Sequence, residues 1–133
     1  MNRRDVSRIV LLLAGSLAVS VISTVVREVV YFAPLTGIDT HELSAGRQAC
    51  ETLMLFVCSI PIVVVLQLLA TRPVDVTWRL SFLRAFLVNL TAWPVADVIL
   101  STAWWHPWAG AVWASALVLG GTLFHGIALK VVP

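Results

Sequence analysis

The chain has 133 residues, of which 59% are hydrophobic and 12% charged, against roughly 45–50% and about 25% in an ordinary soluble domain. So short a chain cannot hide that excess in one soluble core, and a mean hydropathy of +0.94 points to a bilayer. Disorder, a collagen-like repeat, a disulfide scaffold and a soluble enzyme are excluded. With nine basic and seven acidic residues the net charge is only +2, and no nucleic-acid partner is expected.

The first span is expected at about residues 9–32: no charged side chain interrupts Ile9 to Val26, enough to cross a hydrocarbon layer of about 30 Å. Ser16, Ser20, Ser23 and Arg27 follow an i, i+4, i+7, i+11 spacing, which draws one polar stripe along a face of this helix. Asn2-Arg3-Arg4 before an apolar run resembles the start of a secretory signal. The run is longer than a signal core, however, so the helix is expected to be retained. The second span, about 49–70, is free of charge from Thr52 to Thr71 and carries Pro61. Cys50 and Cys58 lie roughly 12 Å apart along it by helix rise, too far to bridge, so both read as small packing groups.

The third span, about 80–102, is the least apolar, with Arg84, Asn89 and Asp97 that must face protein or water, and with Pro94. Pro61 and Pro94 free the carbonyls of Val57 and Leu90, either to bind a ligand cation or simply to bend a packed helix. The fourth span, about 107–130, opens on Pro107, which suits a first helical turn. His125 is its one ionisable group before Lys130. Its small-xxx-small pairs, such as Ala116 with Gly120, mark a close-packing or dimer face. The expected fold is therefore all-α, a four-span transmembrane helix bundle formed by residues 1–133 as a single integral membrane domain.

Basic residues set the orientation. Arg3, Arg4, Arg8, Arg72, Arg79, Arg84 and Lys130 fall on one side and only Arg27 and Arg47 on the other, which puts the N- and C-termini in the cytoplasm. Trp104, Trp105 and Trp108, with Tyr31 and Phe32, form an outer aromatic belt, and Trp78 marks the inner boundary.

Depths counted at 1.5 Å per residue place Arg27, Glu28, Glu51 and Asp97 together roughly 25–29 Å from the inner face. Arg27 is expected to pair with Glu51 or Asp97; the alternative is that these side chains reach headgroups and water. Asn89, Pro61, Ser59, Ser20 and Gly120-Gly121-Thr122 share a middle layer at roughly 13–17 Å. His125 falls roughly 7 Å inside the cytoplasmic boundary, level with Arg84 and Gln67, either as a proton relay or as a hydrogen-bonded structural group. His41 and His106 lack metal-ligand spacing. No nucleophile–base pair, phosphate loop or carboxylate dyad stands out either, so neither enzyme activity, metal nor cofactor is expected. Ser59-Ile60-Pro61-Ile62 and Ala92-Trp93-Pro94-Val95 are weakly alike, as in inverted-repeat transporters.

Several short motifs add a family likeness: Gly37-Ile38 ahead of Arg47, Trp78 ahead of Pro94, and Pro94-Val95 with Ile99-Leu100 leading to Trp105-His106. On these the chain resembles the small bacterial L-alanine exporter family, four-span inner-membrane proteins of similar size. It departs from them in the second span, where Pro61 to Leu69 is nearly all aliphatic and the family's Asn and Trp-Pro-Tyr-Gly pattern is absent. The resemblance implies export of a small amino acid driven by the proton gradient. The functional expectation is thus a multi-pass transporter of a small polar metabolite in the bacterial inner membrane, assembled as a homo-oligomer. Arg27, Glu51, Asn89, Asp97, Ser20 and His125 would line its substrate and proton pathway. The competing expectation is a small accessory subunit of a larger membrane complex.

Overall fold

The computed structural model describes residues 1–27, 45–72, 75–100 and 107–133, with side chains left undescribed at 27, 45, 47, 97–100 and 107–113. The described residues form four helices: α1 Arg3–Arg27, α2 Ala45–Ala70, α3 Trp78–Leu100 and α4 Pro107–Val131. The first begins six residues before the apolar run because Arg3, Arg4, Asp5 and Arg8 are good helix formers or suit a first turn, and hydropathy does not register them. Thr77 starts α3 as its cap, accepting the Leu80 N–H at 3.2 Å. Pro107 opens α4, where its missing N–H is no loss.

Contacts between helices define the order. On α1 and α2, Arg8 meets Gln67 and Thr24 meets Thr52. Arg84 of α3 reaches Leu69 of α2, and His125 of α4 touches both Ser16 and Asn89. Each sequential pair therefore runs antiparallel, in an up-down-up-down bundle. The most extensive packing is that of α4 on α3 and on α1, and the seam between α2 and α3 is the lightest. Both chain ends share one end of the bundle with the α2–α3 connection. There Arg8 donates to the Val132 carbonyl at 3.3 Å, and Lys130, stacked over Trp78, donates to the Val76 carbonyl at 2.8 Å.

Among the described residues three helical segments, Arg3–Val26, Gln48–Ala70 and Ala114–Val131, are long and apolar enough to cross a membrane. The described part of α3 is not among them; it carries Arg79, Arg84 and Asn89. The surface and interior are chemically inverted relative to a water-soluble bundle. Leu17, Val25, Leu53, Val64, Leu68 and Leu119 are exposed, while Ser16, Ser20, Ser59, Asn89 and His125 are buried. Water would leave the first set as a sticky surface and gain nothing from the second, whereas hydrocarbon requires polar groups to find partners inside the protein.

Candidate functional site: a buried polar core

At mid-bundle three helices converge on His125. Its Nε2 lies 2.8 Å from Ser16 Oγ of α1, and its Nδ1 lies 3.2 Å from Asn89 Nδ2 of α3. Trp93, one turn beyond Asn89 and 1% exposed, donates its indole N–H to Asn89 Oδ1 at 2.9 Å. An indole nitrogen can only donate, so this bond identifies Oδ1 as the acceptor and Nδ2 as the amide nitrogen. Nδ2 then gives one hydrogen to the Ala85 carbonyl, at 2.7 Å, and the other to His125 Nδ1. Because Nδ1 accepts, the ring proton sits on Nε2 and is donated to Ser16 Oγ; His125 is neutral, with both nitrogens engaged.

This cluster corrects the depth reading that kept Asn89 and His125 apart. Side chains in a helix lean toward its N-terminus. The N-termini of α3 and α4 lie at opposite ends, so Asn89 leans down toward Ala85 while His125 leans up toward Gly121. Rise counting, which measures Cα heights only, does not register this convergence. Gly121 makes it possible: a Cβ there would stand 2.0 Å from Asn89 Oδ1. Gly120 faces the other way, onto Val19 at 3.4 Å. Gly120, expected with Ala116 on a packing or dimer face, is therefore used within the chain against α1, and Gly121, expected in the middle polar layer, against α3.

The stripe on α1 faces the interior, with Ser16, Ser20, Ser23 and Thr24 all buried. Ser20 and Thr24 donate back to the carbonyls of Ser16 and Ser20, at 2.8 and 2.9 Å. Thr24 also lies 3.0 Å from the Thr52 hydroxyl across the α1–α2 seam. That contact puts Glu51, which is half-buried and engaged, near the level of the α1 terminus. Arg27 is the last residue of α1 and Asp97 lies in the last turn of α3. Their side chains, and with them the expected pairing to Glu51, lie outside the described residues, as do the outer tryptophans. Pro61 and Pro94 are both exposed on the outer surface, so the carbonyls they release face outward and line no interior passage.

Sequence reasoning missed a second cluster. Arg8, counted there only among the basic residues of the inner side, is 3% exposed. It pairs with Asp5 of its own helix, donates to Gln67 Oε1 at 2.8 Å and reaches the Val132 carbonyl, while Gln67 also donates to Asp5 at 3.4 Å. Gln67 and Arg84 thus belong to the basic end, where the expectation had grouped them with His125. The i, i+3 spacing of Asp5 and Arg8 was the available signal. Among the described residues no group of His, Cys, Asp and Glu could hold a metal ion. Three cavities among the described residues are peripheral: one of about 620 Å³ between Arg3, Arg4 and Val132 at the basic end, and two apolar outer grooves of about 310 and 270 Å³.

No family model, curated protein or solved structure matches the chain. The likeness to the L-alanine exporters thus rests on the short motifs alone.

Proposed function

We propose that the protein is a four-span integral membrane protein of the bacterial inner membrane, with both termini cytoplasmic, that exports a small polar metabolite of the amino-acid class, alanine among them, in exchange for protons. The neutral His125 held between Ser16 and Asn89 at the centre of the bundle carries this reading. An imidazole with one nitrogen donating and the other accepting can take a proton on one nitrogen and release it from the other. Seven basic residues at the shared end of the termini support the orientation. Four helices enclose little volume, so a second copy would complete a substrate path. Arg27, Glu51 and Asp97 are its proposed rim charges.

The test is efflux of labelled alanine, serine or glycine from proteoliposomes under an imposed pH gradient. Wild-type protein is expected to accelerate efflux with the gradient, and His125→Asn to remove the dependence on it. Flux no faster than from empty vesicles for all three amino acids overturns the proposal.

One observation favours a second reading, an accessory subunit. The triad satisfies its own hydrogen bonds, and the cavities described lie on the periphery. Purification in mild detergent separates the two: a stoichiometric unrelated partner supports the subunit, whereas a homo-oligomer that binds an amino acid supports transport.

A further inference from the structure

Two hydroxyls are buried without a hydrogen-bond partner among the described residues: Ser23 Oγ, in a residue 1% exposed, and Ser81 Oγ, in a residue 0% exposed. They stand on opposite sides of the triad. Ser23 lies seven residues beyond Ser16 on α1, about 10 Å by rise, away from the basic end. Ser81 lies eight residues before Asn89 on α3, about 12 Å by rise, toward the basic end. Each is on the interior face of its helix: Ser23 follows Ser16 and Val19, and Ser81 precedes Ala85 and Asn89, all buried. Further polar atoms stand between each and the ring along the same helix, Ser20 and the Ser16 carbonyl after Ser23, the Ala85 carbonyl that binds Asn89 after Ser81. A buried hydroxyl left without a partner is unfavourable, and the usual remedy is an ordered water bonded to it and to a neighbouring polar group.

We propose that Ser23 and Ser81 are the two water-binding stations of a proton path through the bundle, one on each side of His125, with the ring as the barrier between them. This deepens the transport reading and rests on it for its purpose. The step balances in protons and breaks no other bond. A hydronium on the Ser81 side gives its proton to His125 Nδ1 once the Asn89 amide swings aside. The imidazolium releases the Nε2 proton to Ser16 Oγ, whose own hydroxyl proton passes to the first of a chain of waters that would have to extend about 10 Å to Ser23. One proton has crossed, and the ring is left as the Nδ1–H tautomer; the ring then reorients so that Nδ1 releases its proton on the Ser16 side while Nε2 takes the next proton from the Ser81 side, which regenerates the Nε2–H tautomer. Of the other titratable or cationic side chains described on the packed helices, Asp5 and Arg8 on α1, Arg84 on α3 and Lys130 on α4 bond elsewhere at the basic end, Glu51 on α2 is engaged, and Arg3, Arg4, Cys50, Cys58 and Arg79 are not among the ring's side-chain partners, which are Ser16 and Asn89.

Cysteine labelling in vesicles tests the path without any substrate. In a background of Cys50→Ala and Cys58→Ala, the variants S23C and S81C are each exposed to a membrane-impermeant methanethiosulfonate from one face and then from the other. We expect each thiol to react from one face only, the two from opposite faces, at rates at least tenfold above those of S59C, a buried hydroxyl position whose native side chain bonds its own helix. Both thiols reacting from the same face, or either one no faster than S59C from both faces, overturns the path. Should S23C or S81C fail to elute as a single species, S20C and A85C report on the same two sides. If labelling succeeds while amino-acid efflux is absent, the hydrated path stands and the transport reading falls; the converse pair of results removes the path alone.

Discussion

The two polar clusters of this bundle solve the same problem by different chemistry. At the basic end Arg8 is a full charge buried at 3% exposure, and the protein surrounds it with a carboxylate, an amide oxygen and a backbone carbonyl. At mid-bundle Ser16, Asn89, Trp93 and His125 carry no net charge and satisfy one another with single bonds. The contrast follows from depth. A charge is tolerable where its partner Asp5 still touches solvent, whereas at the centre only groups able to accept and donate without ionising are inexpensive. One cluster holds the ends of α1, α2 and α4 together. The other fixes the rotation of α1, α3 and α4 about their axes.

If that division is right, the largest loss of stability comes from unbalancing the charged cluster. Asp5→Ala leaves the Arg8 guanidinium buried with only neutral acceptors. We expect a loss toward the lower end of the roughly 3–5 kcal/mol that breaking a buried pair entails, because Asp5 is itself 28% exposed. Adding Arg8→Met to Asp5→Ala removes the stranded charge and should recover most of that loss, since apolar replacement of a whole buried pair is often neutral. Thermal melting of the three variants in detergent measures both steps. Equal melting of the single and double variants would show that Arg8 is not short of a counter-charge, and the contrast between the clusters would lose its basis.

The neutral cluster breaks through shape before it breaks through bonding. Gly121→Ala puts a Cβ within 2.0 Å of Asn89 Oδ1, an atom pinned by the Trp93 indole. The amide must abandon its bonds or α3 must separate from α4, and we expect a loss of about 1–3 kcal/mol. The informative partner is Asn89→Ala, which removes the obstacle along with the bonds. The double variant should then be no less stable than Asn89→Ala alone. Additive losses in the cycle would mean that Gly121 serves the helix backbones rather than the amide.

How much of this was legible in the sequence depends on whether the information was local. Four apolar segments separated by short connections showed the helices to within a few residues, and the stripe through Ser16, Ser20 and Ser23 showed the buried face of α1, because periodicity along one helix is a local property. The meeting of Asn89 with His125 was not legible. It depends on the direction in which side chains lean and on the stagger of antiparallel neighbours, and neither is written in the spacing of one helix. Gly121 stood in the sequence as one of a pair of small residues. Only the third helix reveals that it makes room for an amide and Gly120 for a valine. The bonding of Arg8 was not legible for a related reason: the sequence reads a basic residue near a span boundary only as a topology marker, and its partner Gln67 lies 59 positions away.

The smallest expected effect separates hydroxyls that join helices from hydroxyls that do not. Ser20 donates to the carbonyl four residues back in its own helix. Such a bond competes with nothing across the bundle, so Ser20→Ala should change the melting free energy by no more than about 0.5 kcal/mol. Ser16 occupies the same stripe one turn earlier, but its oxygen accepts the His125 proton across to α4. Ser16→Ala removes the side-chain acceptor of that buried N–H and should cost about 1 kcal/mol, somewhat above the roughly 0.6 kcal/mol average for a hydrogen bond between membrane helices. Two chemically identical truncations on one face, separated by four residues, thus measure the helix-to-helix term directly. If both variants melt alike, the histidine has found another acceptor, and the neutral cluster is held by the Asn89 and Trp93 bonds without Ser16.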